Sequence, residues 1–327
     1  GPGDVAPLGE LPAGLVIRVR VDGSTVQSVL ILAADSQSNN AGLLAGGGPA
    51  NTSFDYRVQV PGRYFVYVLF DPASTAAARR ATLAVSTGDP DYRPPARQIV
   101  RVLFEDDFLM DPGLVDPTTF SPDEVQLLAD ISGQVRTQVV ERLRTIFAGT
   151  PIDLVTADDP LPASPYSVLT YTAQRKEPAE GDFFDVAVPP LLPEHPQCQE
   201  RVVFGEVLDA GGYIDVGNRG LDDQAVVYVG SFQGRGQGCR SAATDSVNNV
   251  VLGLAHTGAH EIGHLVGLFH VSLTDVMNRS PSLAFQRELV FARGQVLVET
   301  GTDPVVLTSV MQDPAFYFQA AFDTAGE

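Results

Sequence analysis

Apolar and polar positions alternate in short bursts over the first ninety residues. Residues 15–21, 26–32, 54–60 and 64–70 are rich in β-branched and aromatic side chains, and 81–86 adds a further run. Glycine, proline and asparagine separate them, and Val60-Pro61-Gly62-Arg63-Tyr64 places a Pro-Gly turn between two of them. Strands at this spacing, bounded by turn residues, predict a small antiparallel β-sandwich over residues 1–90. The proline-rich run Gly88-Asp89-Pro90-Asp91-Tyr92-Arg93-Pro94-Pro95 then marks a boundary. The chain therefore divides into a β-sandwich module at 1–90, a linker at 91–96 and a second domain at 97–327.

Beyond the linker the period changes. Residues 98–104 read as a buried strand. Ser121-Pro122-Asp123-Glu124 then opens a long helix, with serine as N-cap, proline in the first turn and Glu124 completing a capping box. Val125, Leu128, Ile131, Val135, Val139, Leu143 and Ile146 form its apolar stripe, and Gly149 is the stop signal. Residues 152–155 read as a second strand, so strand, helix and strand imply a parallel pair. Residues 157–200 read as loop. Another strand is expected at 225–230, a helix from near Asn248, and a further helix at about 284–298. Phe316-Tyr317-Phe318 is a last apolar patch, and no internal repeat is visible.

The chemistry concentrates in His260-Glu261-Ile262-Gly263-His264-Leu265-Val266-Gly267-Leu268-Phe269-His270. Two histidines four apart on a helix face the same way. Gly267 allows a sharp turn through positive φ, which can bring His270 back as a third ligand. Three imidazoles suit a zinc ion that keeps one position open for water, and Glu261 beside them can act as general base. His256 lies one turn before His260, but the two-histidine template is already complete at 260 and 264, so it reads as a supporting or partly exposed residue. His195 sits in a proline-rich loop and reads as surface.

The segment from His260 to His270, with Asp275-Val276-Met277-Asn278 downstream, resembles the metzincin zinc metallopeptidases. Met277 follows His270 by seven residues, like the short connection of the matrixin-type branch. The resemblance covers residues 97 to about 300. It implies zinc on His260, His264 and His270, Glu261 as the catalytic base, and Met277 as an apolar floor, with Gly267 supporting the turn. It also implies an antiparallel edge strand that binds extended substrate, for which 225–230 is the candidate, and a pocket lined by Asn278 to about Leu289. Val271 departs from the serine frequent at that position in matrixin-like members. No cysteine-switch propeptide is visible. The strand rhythm of 1–90 resembles the jelly-roll-like modules beside secreted bacterial peptidases, the pre-peptidase C-terminal type. The fold expected is multidomain: an N-terminal all-β sandwich and an α+β metzincin-like domain, with a twisted mixed sheet and an active-site helix.

Composition narrows the setting. The 327 residues are 44% hydrophobic and 19% charged, enough for two domains with real cores. Net charge is −19, with one lysine, Lys176, against twenty arginines. That excess argues against nucleic acid and anionic membranes, and no apolar run is long enough to span a bilayer. Gly1-Pro2-Gly3 at the start reads as a tag-cleavage scar, which leaves room for a removed signal peptide. Cys198 and Cys239 read as one disulfide in a secreted protein, worth roughly 3–4 kcal/mol in the chain-entropy model; the bland alternative is two buried thiols. Glu105-Asp106-Asp107, Asp158-Asp159 and Asp222-Asp223 offer oxygen ligands for Ca2+ without the spacing of a known calcium loop. The sequence therefore reads as a secreted, extracellular or cell-surface zinc endopeptidase acting on protein or peptide substrates. The rivals are a surface-binding protein with an accessory metal domain, its sandwich docking polysaccharide or protein, and a zinc hydrolase of a non-peptide amide.

Overall fold

A computed structural model describes residues 3–34, 41–47, 52–70, 74–75, 77–109, 122–177, 186–187, 202–208, 214, 218, 220–232, 246–272, 275–278, 288–300 and 303–323. The chain opens with strands β1 (Gly3–Leu11), β2 (Val16–Asp22), β3 (Val26–Ala34), β4 (Ala41–Gly47), β5 (Thr52–Arg57), β6 (Gly62–Phe70) and β7 (Thr82–Thr87). It continues with β8 (Gln98–Phe104), helix α1 (Pro122–Ile146), β9 (Ile152–Thr156) and β10 (Ser167–Thr172). Then come β11 (Val186–Ala187), β12 (Val202–Val203), β13 (Gly205–Val207), β14 (Gln224–Tyr228) and helix α2 (Val247–Leu265). The last elements are β15 (Gly294–Thr300), β16 (Asp303–Gln312) and helix α3 (Pro314–Ala321). The described chain is thus mixed α/β, with several sheets.

Two sheets share the first core. One has the order β5-β2-β7 and the other β1-β6-β3-β4-β16-β15. Alternation along the strands supplies the inner face: Ile17, Val19 and Val21 from β2 meet Val29, Ile31 and Ala33 from β3 and Val66 and Val68 from β6. Pro7 sits on the edge strand β1, beside a register shift between Pro7 and Gly9, a place where a strand tolerates proline. Arg18 crosses from β2 to Asp55 on β5 with two 2.7 Å hydrogen bonds.

The linker divides the sequence but does not divide the sheets. β15 and β16 follow the histidine motif, yet β16 pairs in parallel with β4 and completes the first sheet. Its strands β3 and β6 are buried on both faces. Leu30, Leu32, Tyr67, Leu69 and Val296 line its second face, with Ile214 and Phe269 packed against them.

The other large sheet has the order β13-β14-β10-β8-β9. β9, β8, β10 and β14 run parallel, and β13 runs antiparallel to β14 at the edge. α1 connects β8 to β9, and its Val135, Val139 and Leu143 are buried against Val100, Val102, Leu169 and Tyr171 from the strands. Gly149 has a φ of +77°, as its stop role requires.

Four expectations need correcting. β10 lies in the span read as loop, and its Ser-Val-Leu-Thr-Tyr-Thr holds the middle of the sheet. Residues 294–298 form strand rather than helix, because Val296 packs on the second face of the first sheet and the run pairs with β16. The strand near 225–230 is internal and parallel to β10, so the antiparallel edge is β13. β1, β4, β11, β12, β13 and β16 have no counterpart among the predicted strands.

Candidate metal centre

α2 runs through the second core rather than over it. Ser246 caps its start by accepting a 3.1 Å hydrogen bond from the Asn249 N–H, and every residue from Val251 to Leu265 is buried. Small residues make that possible. A Cβ at Gly258 would lie 2.0 Å from the Tyr171 hydroxyl oxygen, and one at Gly263 would lie 2.4 Å from Met277 Sδ. The Tyr171 hydroxyl donates to the Leu254 carbonyl at 3.0 Å, and its burial pushes its pKa far above the usual tyrosine range. Met277 is fully buried beneath the helix, against the glycine that separates the first two histidines by sequence.

The helix ends in a defined turn. Gly267 has a φ of +96°, the Gly267 N–H donates to His264 O at 3.0 Å, and the Leu268 N–H donates to Gly263 O at 2.8 Å. This pair of bonds is the Schellman arrangement, whose left-handed position favours glycine. The chain reverses there and His270 comes back to the helix face.

His260, His264 and His270 are all buried and their Nε2 atoms converge. The Nε2 separations are 3.0 Å for 260–264, 3.0 Å for 260–270 and 3.2 Å for 264–270. His260 Nδ1 lies 2.7 Å from the Val276 carbonyl and His264 Nδ1 lies 2.7 Å from the Leu268 carbonyl. A carbonyl only accepts, so both rings carry their proton on Nδ1 and aim an Nε2 lone pair inward. Three inward-facing nitrogens at these distances fit a shared cation. Two nitrogens bound tetrahedrally to one zinc at ~2.0–2.1 Å stand ~3.3 Å apart, close to the edges of this triangle. The described residues therefore include one three-histidine group able to hold a metal ion. Imidazole donors suit zinc, copper, nickel and iron alike, so the donor set does not name the metal.

Glu261 is 1% exposed and follows His260 on the helix. Its carboxylate lies against the edge strand: a Cβ at Gly205 would come within 2.3 Å of Glu261 Oε1 and 2.7 Å of its Cδ. Gly205 is the residue that sequence reasoning missed. Its signal is a glycine inside Val202-Val203-Phe204-Gly205-Glu206-Val207, since glycine within a strand marks a close approach. Glu206 beside it accepts from Lys176 and from the Tyr228 hydroxyl.

His256 is fully buried, not partly exposed. Its Nε2 accepts from the Leu289 N–H at 3.1 Å, and it is not part of the three-histidine group. Glu288, next to Leu289, is bonded to Arg142 of α1. Asp275 is also buried, and desolvation pushes its pKa up to about 6 although it accepts from the Ala292 and Met277 N–H groups. Of the acidic pairs, Asp159 accepts from the Thr156 N–H at 2.7 Å and hydroxyl at 2.9 Å, and Glu105 accepts from the Thr172 hydroxyl at 2.6 Å. These three bonds are local or strand-joining. Cys198, Cys239 and His195 lie outside the described residues, as does most of the 278–289 pocket wall.

No protein-family model matches the chain, and no curated protein matches it. Among solved structures, an active-site mutant of a family two carbohydrate esterase from Clostridium thermocellum, in complex with celluohexase, is similar at a TM-score of 0.19 and 10% identity. The match spans 52% of this chain and 58% of that protein, and at that TM-score it carries no argument about fold or activity. No described helix is long and apolar enough to cross a membrane.

Proposed function

We propose that the chain is a secreted zinc-dependent endopeptidase of metzincin type. The observation that carries the reading is the meeting of three inward-facing Nε2 atoms with a buried glutamate one residue from the first of them. His260, His264 and His270 would hold the ion. Zinc bound by three imidazoles lowers the pKa of a coordinated water and polarises a carbonyl.

The protein's own groups supply the rest. Glu261 takes a proton from the attacking water and later delivers it to the nitrogen of the leaving amine. Gly205 leaves its carboxylate room to lie under the edge strand. In the antiparallel pair the Tyr228 N–H donates to Phe204 O at 2.8 Å and the Leu208 N–H donates to Gln224 O at 2.7 Å. The alternation of such a ladder turns the backbone groups of Gly205 and Val207 away from β14. An extended peptide pairing there would pass beside Glu261, which favours a peptide bond as the substrate. Met277 closes the site from below as an apolar support.

The test is cleavage of a panel of unfolded proteins and a peptide library, mapped by mass spectrometry, with metal analysis alongside. Wild-type protein should cut and carry zinc; Glu261→Gln should carry zinc and not cut. Retained cutting by Glu261→Gln would remove the mechanism. A zinc-loaded wild type that cuts no peptide would turn the assignment toward a non-peptide amide or a binding role.

A further inference from the structure

The third ligand sits in a segment whose backbone is tied to another part of the molecule. Gln312, the last residue of β16, is fully buried and points its amide at Phe269. The Phe269 N–H donates to Gln312 Oε1 at 2.7 Å, and Gln312 Nε2 donates to Phe269 O at 2.8 Å. Two residues on, Val271 forms a bridge with Val296 of β15, and the Ser272 N–H donates to Gln295 O at 2.9 Å. On its other side the Val271 N–H donates to Met277 O at 2.9 Å. The Phe269 side chain packs with Leu30, Leu32, Tyr67 and Leu69 from strands β3 and β6. His270 is the residue enclosed by these attachments.

The geometry points to Gln312 as a positioning residue for His270, and to the β-sandwich sheet as part of the metal centre's support. This rests on the metal site proposed above. A primary amide suits this role because it donates and accepts at once, so it satisfies both backbone groups of Phe269 where water is excluded. β16 is itself hydrogen-bonded to β4, so the clamp belongs to a strand of the first sheet. The same packing accounts for Val271: a Cβ at Gly294 would approach Val271 Cβ to 2.8 Å, so the side chain after the third ligand fills the gap left by a glycine of β15.

The experiment compares three variants of the full chain: Gln312→Met, Gly294→Ala and Val29→Ala. Gln312→Met keeps length and removes the clamp. Gly294→Ala pushes Val271 from the other side, and serves if the first variant folds poorly. Val29→Ala disturbs the sandwich core away from the clamp. Zinc affinity is read by chelator competition, the ligand set by the visible spectrum of the cobalt(II)-substituted protein, and the backbone of 269–272 by amide hydrogen exchange without metal. Gln312→Met and Gly294→Ala should weaken zinc about 10- to 100-fold, the range seen for partners that orient ligands. Both should shift the cobalt spectrum and speed exchange at 269–272, while Val29→Ala leaves zinc affinity and spectrum as in wild type. Wild-type affinity, spectrum and exchange in Gln312→Met would overturn the proposal alone. So would an equal loss in Val29→Ala, which would mean that any destabilisation has this effect. A wild-type protein that takes up no zinc would remove the metal reading, while the exchange measurement would still judge the clamp.

Discussion

His260 and His264 are held by one helix; His270 is held by half the molecule. The backbone placement of the first pair needs only the α-helical repeat, since residues four apart share a face; the Val276 and Leu268 carbonyls then orient the rings. The segment from Val266 to Ser272 needs a left-handed glycine, an amide from β16, a carbonyl from the turn at Met277 and a strand partner in β15. The lesson is that a motif compact in sequence is not compact in its dependencies. Two histidines take their backbone placement from one helix, and the third borrows its own from other elements.

The comparison can be pressed at graded strength. His264→Leu strikes the local half, removing one ligand and its hydrogen bond to Leu268 O. Zinc affinity should fall beyond the ~100-fold that losing a supporting partner produces, as read by chelator competition. Asp275→Asn acts on the borrowed half through charge. Burial disfavours the Asp275 carboxylate and pushes its pKa up to about 6 from an ordinary 3.8. Between those values the folded protein holds a proton that the unfolded chain lacks, so the group costs stability as pH rises and the cost is complete above pH 6. Metal-free Asp275→Asn should therefore be more stable than wild type above pH 6, by up to about 2 kcal/mol after solvent screening, and equal to it below pH 4. Urea unfolding at pH 4 and pH 8 checks both arms; a gain at pH 4 alone would reverse the sign.

Gly267→Ala forces a Cβ into a φ of +96°. The expected cost is about 1–2 kcal/mol in urea unfolding, with weaker zinc binding as the turn relaxes. A variant as stable as wild type would show that the turn tolerates other conformations. Tyr317→Phe is the mildest probe. The Tyr317 hydroxyl donates at 2.6 Å to the carbonyl of Val266, just where the local half ends and the borrowed half begins. Its loss should cost about 1 kcal/mol and speed hydrogen exchange around Gly267 while leaving the middle of α2 protected.

How much could be read from the sequence follows the same division. The 98–104 strand, the helix stopping before Gly149 and the motif helix were legible because each declares itself through its own period and caps. β10 was not, since its serine, threonine and tyrosine resemble loop until neighbours on both sides pair with it. β4 is alanine, glycine and leucine, with little strand preference of its own; β3 and β16 flank it. The edge strand was misplaced for a further reason. Residues 224–228 and 205–207 are both short apolar runs, and nothing in either says which neighbour it will have. In β15, Val-Leu-Val fits either period when read alone. Within the site, the histidines and Glu261 could be named from spacing. Gly205 and Gln312 could not, because their roles exist only across 56 and 42 positions of chain from Glu261 and His270, by subtraction of residue numbers.

α3 brings Phe318, Ala321 and Phe322 to the core around α2, and Ala320 to the core of the sandwich. That shared packing has a consequence for the order in which the protein is made. Synthesis runs from the N-terminus, so the whole histidine motif is polymerised before the residues of β15, β16 and α3. A nascent chain stopped short of Gly294 carries all three histidines and Glu261, but not the amide or the strand that hold the last of them. The three-histidine group would then gain its full support only after β15 and β16 have been made and have joined the first sheet.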